Sequence, residues 1–300
     1  MTTYIYALGF FDGVHLGHQA LLRAVKTLAS EGCRGVVTFS GHPDTLVLGT
    51  TPALINTAED RENLLRNYGM DRVVTLPFDK KMLSTPWEDF LEELRRDFGA
   101  GGFVCGEDFR FGAMGTGTAS LLQDYCEKEG LPCAVVPEQE MSGVRISSTY
   151  IRELLTQGRM AEADTFLGHP HVVSGRHLGR TLGIPTANLH LPEGVIVPRF
   201  GVYACRALAE GRAYPAVTNV GTRPTVGGHH ITVEPWLLDY DGDLYGKKIT
   251  LEFLDFLRPE QKFDSLEDLK AAILKNAEQT REIVKLKASP PGELAGRSPD

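Results

Sequence analysis

Two patterns of apolar and polar residues divide the 300-residue chain. Up to about residue 168, short apolar runs alternate with segments whose apolar residues recur every three or four positions. The runs YIYALGF, GVVTFS, DRVVTLPF, GGFVCG and PCAVVPEQ read as buried strands. Between them, QALLRAVKTLAS places Leu21, Leu22, Val25, Leu28 and Ala29 on one helical face. Thr57 opens a helix in TAEDRENLLRNYG, and Gly69 can end it. Thr85 opens TPWEDFLEELRRDFG, with Pro86 at the first helical position and Glu88 completing a capping box. TASLLQDYCEKEG and SSTYIRELLTQG follow as further helices. Such alternation predicts an α/β domain with a doubly wound, mostly parallel sheet.

After about residue 168 the period shortens. GVYACRALA, RAYPAVTNVG, HITVEPWLLDY and KKITLEFLDFLR are strand-like runs separated by Gly, Pro and Asn turns, and they predict a small antiparallel barrel or sandwich. A last helix, SLEDLKAAILKNAEQTREIVKLK, closes it. The expected domains are 1–168 and 169–286, followed by a polar, Pro/Gly-rich tail, 287–300, expected to be disordered.

Composition narrows the function. The net charge of −8 argues against a nucleic-acid or membrane-surface partner and leaves small molecules as the expected ligands. Self-association is left open. Five scattered cysteines without a C-x-x-C pair fit reduced thiols. With no secretory leader and no bilayer-length apolar run, the expected location is the cytoplasm.

The chemistry begins in GFFDGVHLGH, Gly9 to His18, on a predicted strand-to-helix turn. Such turns lie at the carboxyl ends of sheet strands, where α/β proteins bind ligands. His15 and His18 are three residues apart at a helix start and share a face. Gly13 and Gly17 let a ligand approach the backbone, and the helix N-terminus favours an anion. A His-x-x-His pair by itself is more often a metal pair or a solvated surface; the glycines and the strand–turn–helix setting favour a phosphate chain. No G-x-x-x-x-G-K-[ST] loop is present, so a partner must complete the site. In ISSTYIRELL, Ser147, Ser148 and Thr149 start a helix whose N–H groups can face an anion. Arg152 lies one turn later on the same face as Ser148. An ordinary serine cap with a surface arginine is the competing reading.

In the second domain, GRTLGIPTANL combines Gly179 and Gly183, which permit a tight loop, with Thr186 and Asn188, which alternate onto one side of a strand. Their oxygens suit Mg²⁺ and phosphate, although a polar strand face has the same pattern. Glu234 is a carboxylate within an apolar strand, either structurally paired or a general base.

GFFDGVHLGH and ISSTYIR together resemble the nucleotidylyltransferase superfamily. With GEDFRFG between them, and with GRTLGIPTANL, TNVGTRPTV, VEPWLLDYDGDLYGK and FLRPEQKF following, the chain resembles bacterial bifunctional riboflavin kinase/FMN adenylyltransferases over nearly its whole length. The resemblance implies phosphorylation of riboflavin to FMN and adenylylation of FMN to FAD, with ATP and Mg²⁺. It implies nucleotide contacts at Gly9, Phe10, Asp12, Gly13, Gly17, Ser147, Ser148 and Thr149, and charge stabilisation by His15, His18 and Arg152. Flavin contacts are implied at His42, Pro43, Asp108, Phe109 and Phe111, although Phe109 and Phe111 are equally plausible as core. In the kinase half it implies ATP contacts at Gly179, Arg180, Gly183, Pro185, Thr186 and Asn188, metal at Thr186 and Asn188, and Glu234 as base. Two departures stand out. TFSGHP has Ser40 and Gly41 where the family has an acid and a proline. The segment before Gly179 is shorter than the family's, which predicts weaker ATP binding by the kinase half unless Arg176 and Arg180 compensate. An adenylyltransferase with an impaired kinase module and a non-catalytic flavin-binding regulator are the rival readings. A resemblance of the histidine motif plus KKMLST to class I aminoacyl-tRNA synthetases is set aside, because KKMLST lies mid-domain and no basic tRNA-binding face is present.

Overall fold

The computed structural model describes residues 2–177, 186–225 and 228–287. It gathers into two compact units, Met1–Ala53 with Arg61–Ser148 and Leu54–Asp60 with Thr149–Asp300.

The first unit is built on five parallel strands: β1 (Tyr4–Leu8), β2 (Arg34–Phe39), β3 (Arg72–Leu76), β4 (Ala100–Gly106) and β5 (Cys133–Val136). Their spatial order is β3-β2-β1-β4-β5. Each of the five apolar runs supplies one strand, since a strand covered by helices on both faces can be apolar throughout. The core joins Tyr6, Leu8, Val37 and Phe103 from the sheet to Leu91, Leu94 and Leu122 from the helices. Gly35 is dictated by Tyr6, its register partner on β1: a Cβ at Gly35 would stand 2.4 Å from the tyrosine ring.

The helices Leu16–Leu28 (α1), Ala58–Asn67 (α2), Trp87–Phe98 (α3) and Ala119–Glu129 (α4) follow the apolar period. Thr118 caps α4 by accepting from the Leu121 N–H, and Gly130 ends it in the left-handed region. One expectation fails at α3. Its N-cap is Pro86, without a side-chain cap bond. Thr85 instead ends the short helix Lys80–Ser84, and its hydroxyl donates to the Lys81 carbonyl at 2.8 Å. A preceding helix turn competes for the threonine, so the capping box does not form.

The second unit is a closed barrel of six antiparallel strands: β6 (His171–His177), β7 (Leu189–His190), β8 (Gly201–Ala209), β9 (Arg212–Thr225), β10 (Gly228–Leu237) and β11 (Lys248–Arg258). They run β6-β7-β10-β9-β8-β11, and β11 pairs back onto β6. Closure leaves no free sheet edge. Helices Ser148–Gln157 (α5) and Met160–Leu167 (α6) lead into the barrel, and Leu266–Leu286 (α7), capped by Ser265, packs on it. Leu54–Asp60 is tied to the same unit: Asn56 Nδ2 donates to the Val172 carbonyl at 2.9 Å, and the Ser174 N–H to Asp60 Oδ2 at 3.1 Å. Residues 178–185 and 288–300 lie outside the described residues; Lys287, the first residue of the expected tail, is described and its Nζ donates to the Leu254 carbonyl at 2.6 Å.

Burial shifts several ionisable groups of the barrel unit, and two of them, His171 and Asp164, make opposing contributions to its pH dependence. His171 is fully buried at the start of β6, and desolvation drives its pKa down to about 3. Its backbone N–H donates to Asp164 Oδ1 at 3.2 Å. Burial raises Asp164 to about 7, even though Lys287 Nζ stands 3.3 Å from it. Below the ordinary histidine value the unfolded chain holds one proton more than the fold at His171, so stability falls with acid down to about pH 3. At Asp164 the fold holds the extra proton between about pH 4 and 7, so stability falls as pH rises. The two slopes, each about 1.4 kcal/mol per pH unit, oppose one another between about pH 4 and 6.5. Asp164→Asn removes one of them. Relative to the parent protein, the variant is expected to lose about 1.4 kcal/mol per unit on acidification through that window. Denaturant titration at several pH values, read by Trp236 in a Trp87→Phe background, measures this; parallel stability curves would disprove it.

Candidate active sites

The turn after β1 carries three residues at positive φ: Phe11 at 60°, Gly13 at 82° and Val14 at 41°. Glycine tolerates this region; a β-branched valine there stores roughly 1–3 kcal/mol of strain. Three side chains hold the turn. Thr38 Oγ1 donates to the Phe10 carbonyl at 2.8 Å, Ser148 Oγ to the Asp12 carbonyl at 2.8 Å, and Gln19 Nε2 to the Val14 carbonyl at 3.0 Å. Alternate carbonyls are thereby engaged, which weakens their repulsion of an anion.

His15 is the N-cap of α1, and its Nδ1 accepts the His18 N–H at 3.3 Å. An imidazole here takes the place of the usual serine or aspartate. Its accepting Nδ1 leaves Nε2 to carry the ring proton. The His18 ring stacks on it, with centroids 3.6 Å apart and planes 16° from parallel. His18 Nδ1 is buried without a hydrogen-bond partner. Burial, with His15 and the Arg61 guanidinium nearby, pushes His18 well below the usual histidine range, so it is neutral at pH 7. A negative charge placed beside the ring would favour its protonated form.

Both histidines line a cleft of about 170 Å³, together with residues at and just after the ends of β4 (Gly106, Glu107, Asp108) and β5 (Val136 to Gln139) and the stretch Arg145 to Ser148. It lies at the carboxyl ends of β1, β4 and β5. The strand order reverses direction between β1 and β4, the position at which open α/β sheets form a crevice. The Glu138 N–H donates to Glu107 Oε1 at 2.7 Å, and Arg145 bridges Asp108 at 2.6 Å and Glu138 at 2.5 Å. These exposed pairs contribute little stability; they set the shape of the rim.

The expected residues thus divide. His15, Gly17, His18, Asp108, Ser147 and Ser148 meet in the cleft. Gly9, Phe10, Asp12 and Gly13 belong to the same turn without lining it. Thr149 and Arg152 lie along α5, in the second unit. Phe111 is buried in the core beneath Trp87 and Phe90, and Phe109 stacks on it with centroids 5.5 Å apart. His42 caps the short helix Pro43–Val47 and stands edge-on to Phe10 at 4.8 Å.

The barrel has its own cleft, of about 350 Å³, lined by Thr186, Asn219, Glu234, Trp236, Arg258 and Glu260 among others. Glu234 faces Asn219 in the β9–β10 register. The Ala187 N–H donates to the Pro235 carbonyl at 2.9 Å, laying Thr186–Asn188 beside that strand. Ala187 and Leu189 are buried while Thr186 and Asn188 are half-buried, which is the alternation expected of a strand. Asn188 does not line the cleft; its N–H donates to His177 Nδ1 at 2.8 Å. Arg258 donates through Nε to Asn276 Oδ1 at 3.1 Å and stands over the Phe263 ring at 5.4 Å. A Cβ at Gly221 would lie 2.1 Å from Glu260 Oε1, so that carboxylate rests on bare backbone. Gly179, Arg180, Gly183 and Pro185 lie outside the described residues.

Sequence reasoning passed over Arg145, Glu138, Asn219 and Trp236. Each lies within or beside a quoted motif, but nothing in the spacing separates a cleft-facing side chain from its neighbours. Among the described residues no group of three or more His, Cys, Asp or Glu forms a metal cluster, and no helix is long and apolar enough to cross a membrane.

Comparison with known proteins adds the family. Residues 2–150 match the FAD synthetase family model and residues 165–284 the riboflavin kinase model. The bifunctional riboflavin kinase/FMN adenylyltransferase of Escherichia coli K12 is 36% identical over 93% of this chain and 92% of its own length. The protein of the same name from Bacillus subtilis is 34% identical, covering 92% and 90%. A crystal structure of a macrolide-efflux protein from Streptococcus pneumoniae superposes with a TM-score of 0.82 at 29% identity, over 93% of this chain and 94% of the other. The chain belongs to the bifunctional riboflavin kinase/FMN adenylyltransferase family.

Gly17 provides a test of the histidine geometry. A Cβ there would stand 3.1 Å from both Cε1 and Nδ1 of the His15 ring. Gly17→Ala is expected to leave stability unchanged or raised by up to about 1 kcal/mol, because alanine favours the helix. Displacing the His15 ring should lower FMN adenylylation on the order of tenfold to a hundredfold. Thermal unfolding and FAD formation measured on one preparation check both signs; unchanged FAD formation would show that the ring position is immaterial.

Proposed function

We propose that this chain is an ATP-dependent transferase with two active sites, making FMN from riboflavin in the barrel cleft and FAD from FMN in the cleft of the parallel sheet. The observation that carries the second assignment is the stacked His15–His18 pair on a pinned, strained turn at the sheet's crevice. An oxygen of the FMN phosphate bonds to the α-phosphorus of ATP, the bond to the β-phosphate oxygen breaks, and pyrophosphate leaves with the electron pair. No bond to the protein is required. His15 and His18 stabilise the charge that builds on the phosphates, and Ser148 holds the departing pyrophosphate. Phe109, His42 and Pro43 are the residues we assign to the flavin. Phe111 supports Phe109 from the core.

In the barrel, Glu234 takes the proton of the riboflavin 5′-hydroxyl as that oxygen attacks the γ-phosphorus, and ADP leaves. The donor set there is of hard oxygens, with Thr186, Asn219 and Glu234 on one cleft, and it fits a Mg²⁺ ion that completes its shell from phosphate and water. Thr186 would hold that ion, whereas Asn188, expected to share the role, does not line the cleft. When bound it supplies charge neutralisation for the polyphosphate. We assign 1–168 and 169–286 to the two activities, and the partners are small molecules rather than nucleic acid or membrane.

Two substitutions separate the sites. His18→Ala is expected to lower FMN adenylylation on the order of a hundredfold or more while leaving riboflavin phosphorylation intact; FAD formation at the parental rate in a His15→Ala, His18→Ala double variant would sink the assignment. Glu234→Gln keeps the shape but not the basicity. It should suppress FMN formation from riboflavin and spare FAD formation from added FMN. Parental kinase turnover in that variant would make Glu234 structural.

A further inference from the structure

Arg61 is the anomaly of the first unit. It lies on α2, in a segment that reads as an ordinary polar helix, yet only 1% of it is exposed. Its Nη2 donates to the Phe39 carbonyl at 2.6 Å, while its Nε and Nη1 are buried without hydrogen-bond partners. The guanidinium carbon stands 4.4 Å from the centroid of the Phe10 ring. Burial works against its charge, the Asp12 carboxylate, itself 2% exposed, attracts it, and the charge in turn disfavours protonation of His18. Burying a guanidinium with unsatisfied nitrogens costs several kcal/mol, and a methionine of similar size would fill the space without that penalty. Packing alone gives no reason for a charge here. The contacts do: Phe39 ends β2, and Phe10 and Asp12 open the strained turn after β1. One cation therefore grips both strand ends at the base of the loop that carries His15 and His18.

We infer that Arg61 is a positioning residue for adenylyl transfer, holding the turn from Phe10 to His18 in its strained form through the Phe10 ring, the Asp12 carboxylate and the Phe39 carbonyl. It does not line the cleft, so it acts on the reaction through the loop. The same charge also helps keep His18 neutral in the free enzyme. This inference rests on the proposed role of His15 and His18, and its test separates the two.

The variants are Arg61→Met, Arg61→Gln and Arg61→Lys in the full chain, with His18→Ala measured alongside. Riboflavin phosphorylation in the barrel unit serves as the internal control of folding. The two neutral variants should retain phosphorylation and lose adenylylation at least about tenfold, mainly in kcat, since the loop is mispositioned for the transition state. Lysine, which keeps the charge, should restore part of the rate. The pH profile gives a readout that a merely structural residue would not move. His15, Glu107, Asp108, Glu138 and Arg145 share the cleft with His18 and are unchanged in these variants. Loss of the Arg61 charge alone should therefore shift the limb of the adenylylation pH profile that His18 governs toward higher pH. Neutral variants with parental adenylylation and an unmoved pH profile would overturn the inference. So would loss of both activities together with the folded transition, which would assign Arg61 to stability alone. If His18→Ala leaves adenylylation intact, the reading of the histidine pair fails instead.

Discussion

The first candidate active site depends on keeping a short backbone turn in a conformation it would not adopt alone. Phe11, Gly13 and Val14 are all at positive φ, and strain of this kind survives only where the surroundings over-determine it. Here they do so through hydrogen bonds to three successive alternate carbonyls, from side chains of β2, α1 and the start of α5. The Ser148 bond has a further consequence: it joins the histidine turn to the serine-rich helix start, two motifs separated by 136 positions in the chain. The helix then begins at His15, the two imidazoles stack, and the cleft opens beside them.

The barrel solves a different problem by different means. Its cleft gathers Thr186, Asn219 and Glu234 through strand register rather than through strained turns, since β9 and β10 set Asn219 opposite Glu234 and the Ala187–Pro235 hydrogen bond brings Thr186 alongside. Glycines serve both sites by admitting something else to the backbone, the His15 ring at Gly17 and the Glu260 carboxylate at Gly221. The electrostatics also differ. In the sheet unit a buried cation and a neutral imidazole lie close together, which primes the site to gain from an incoming anion. In the barrel, Thr186, Asn219, Glu234 and Glu260 bring oxygen donors to the cleft, the chemistry that the proposed Mg²⁺ would use.

Most of the fold was legible in the chain. Every strand of the parallel sheet coincides with an apolar run, and the four later runs each became a barrel strand, because periods of two and of 3.6 report the buried face directly. The Thr85 capping box was not legible, because the choice between ending one helix and starting the next depends on a turn formed upstream. The histidine turn was found because its residue types are rare together. Arg61 was not, since a single arginine on a polar helix looks like any solvated one until the fold buries it. Phe111 shows the converse: an aromatic within a ligand motif can be spent on the core while its neighbour Phe109 covers it.

The central claim is that one chain breaks two different bonds of ATP at two sites. Methylene analogues of ATP test it directly, because each replaces one bridging oxygen with an uncleavable carbon. With the α,β-methylene analogue and riboflavin, FMN should accumulate and no FAD should form. With the β,γ-methylene analogue, added FMN should be converted to FAD while riboflavin stays unphosphorylated. Products separated by chromatography and identified by mass decide the matter. A protein for which one analogue blocks both reactions, or which makes FAD from the α,β-methylene analogue, would contradict the assignment of two separate phosphorus centres.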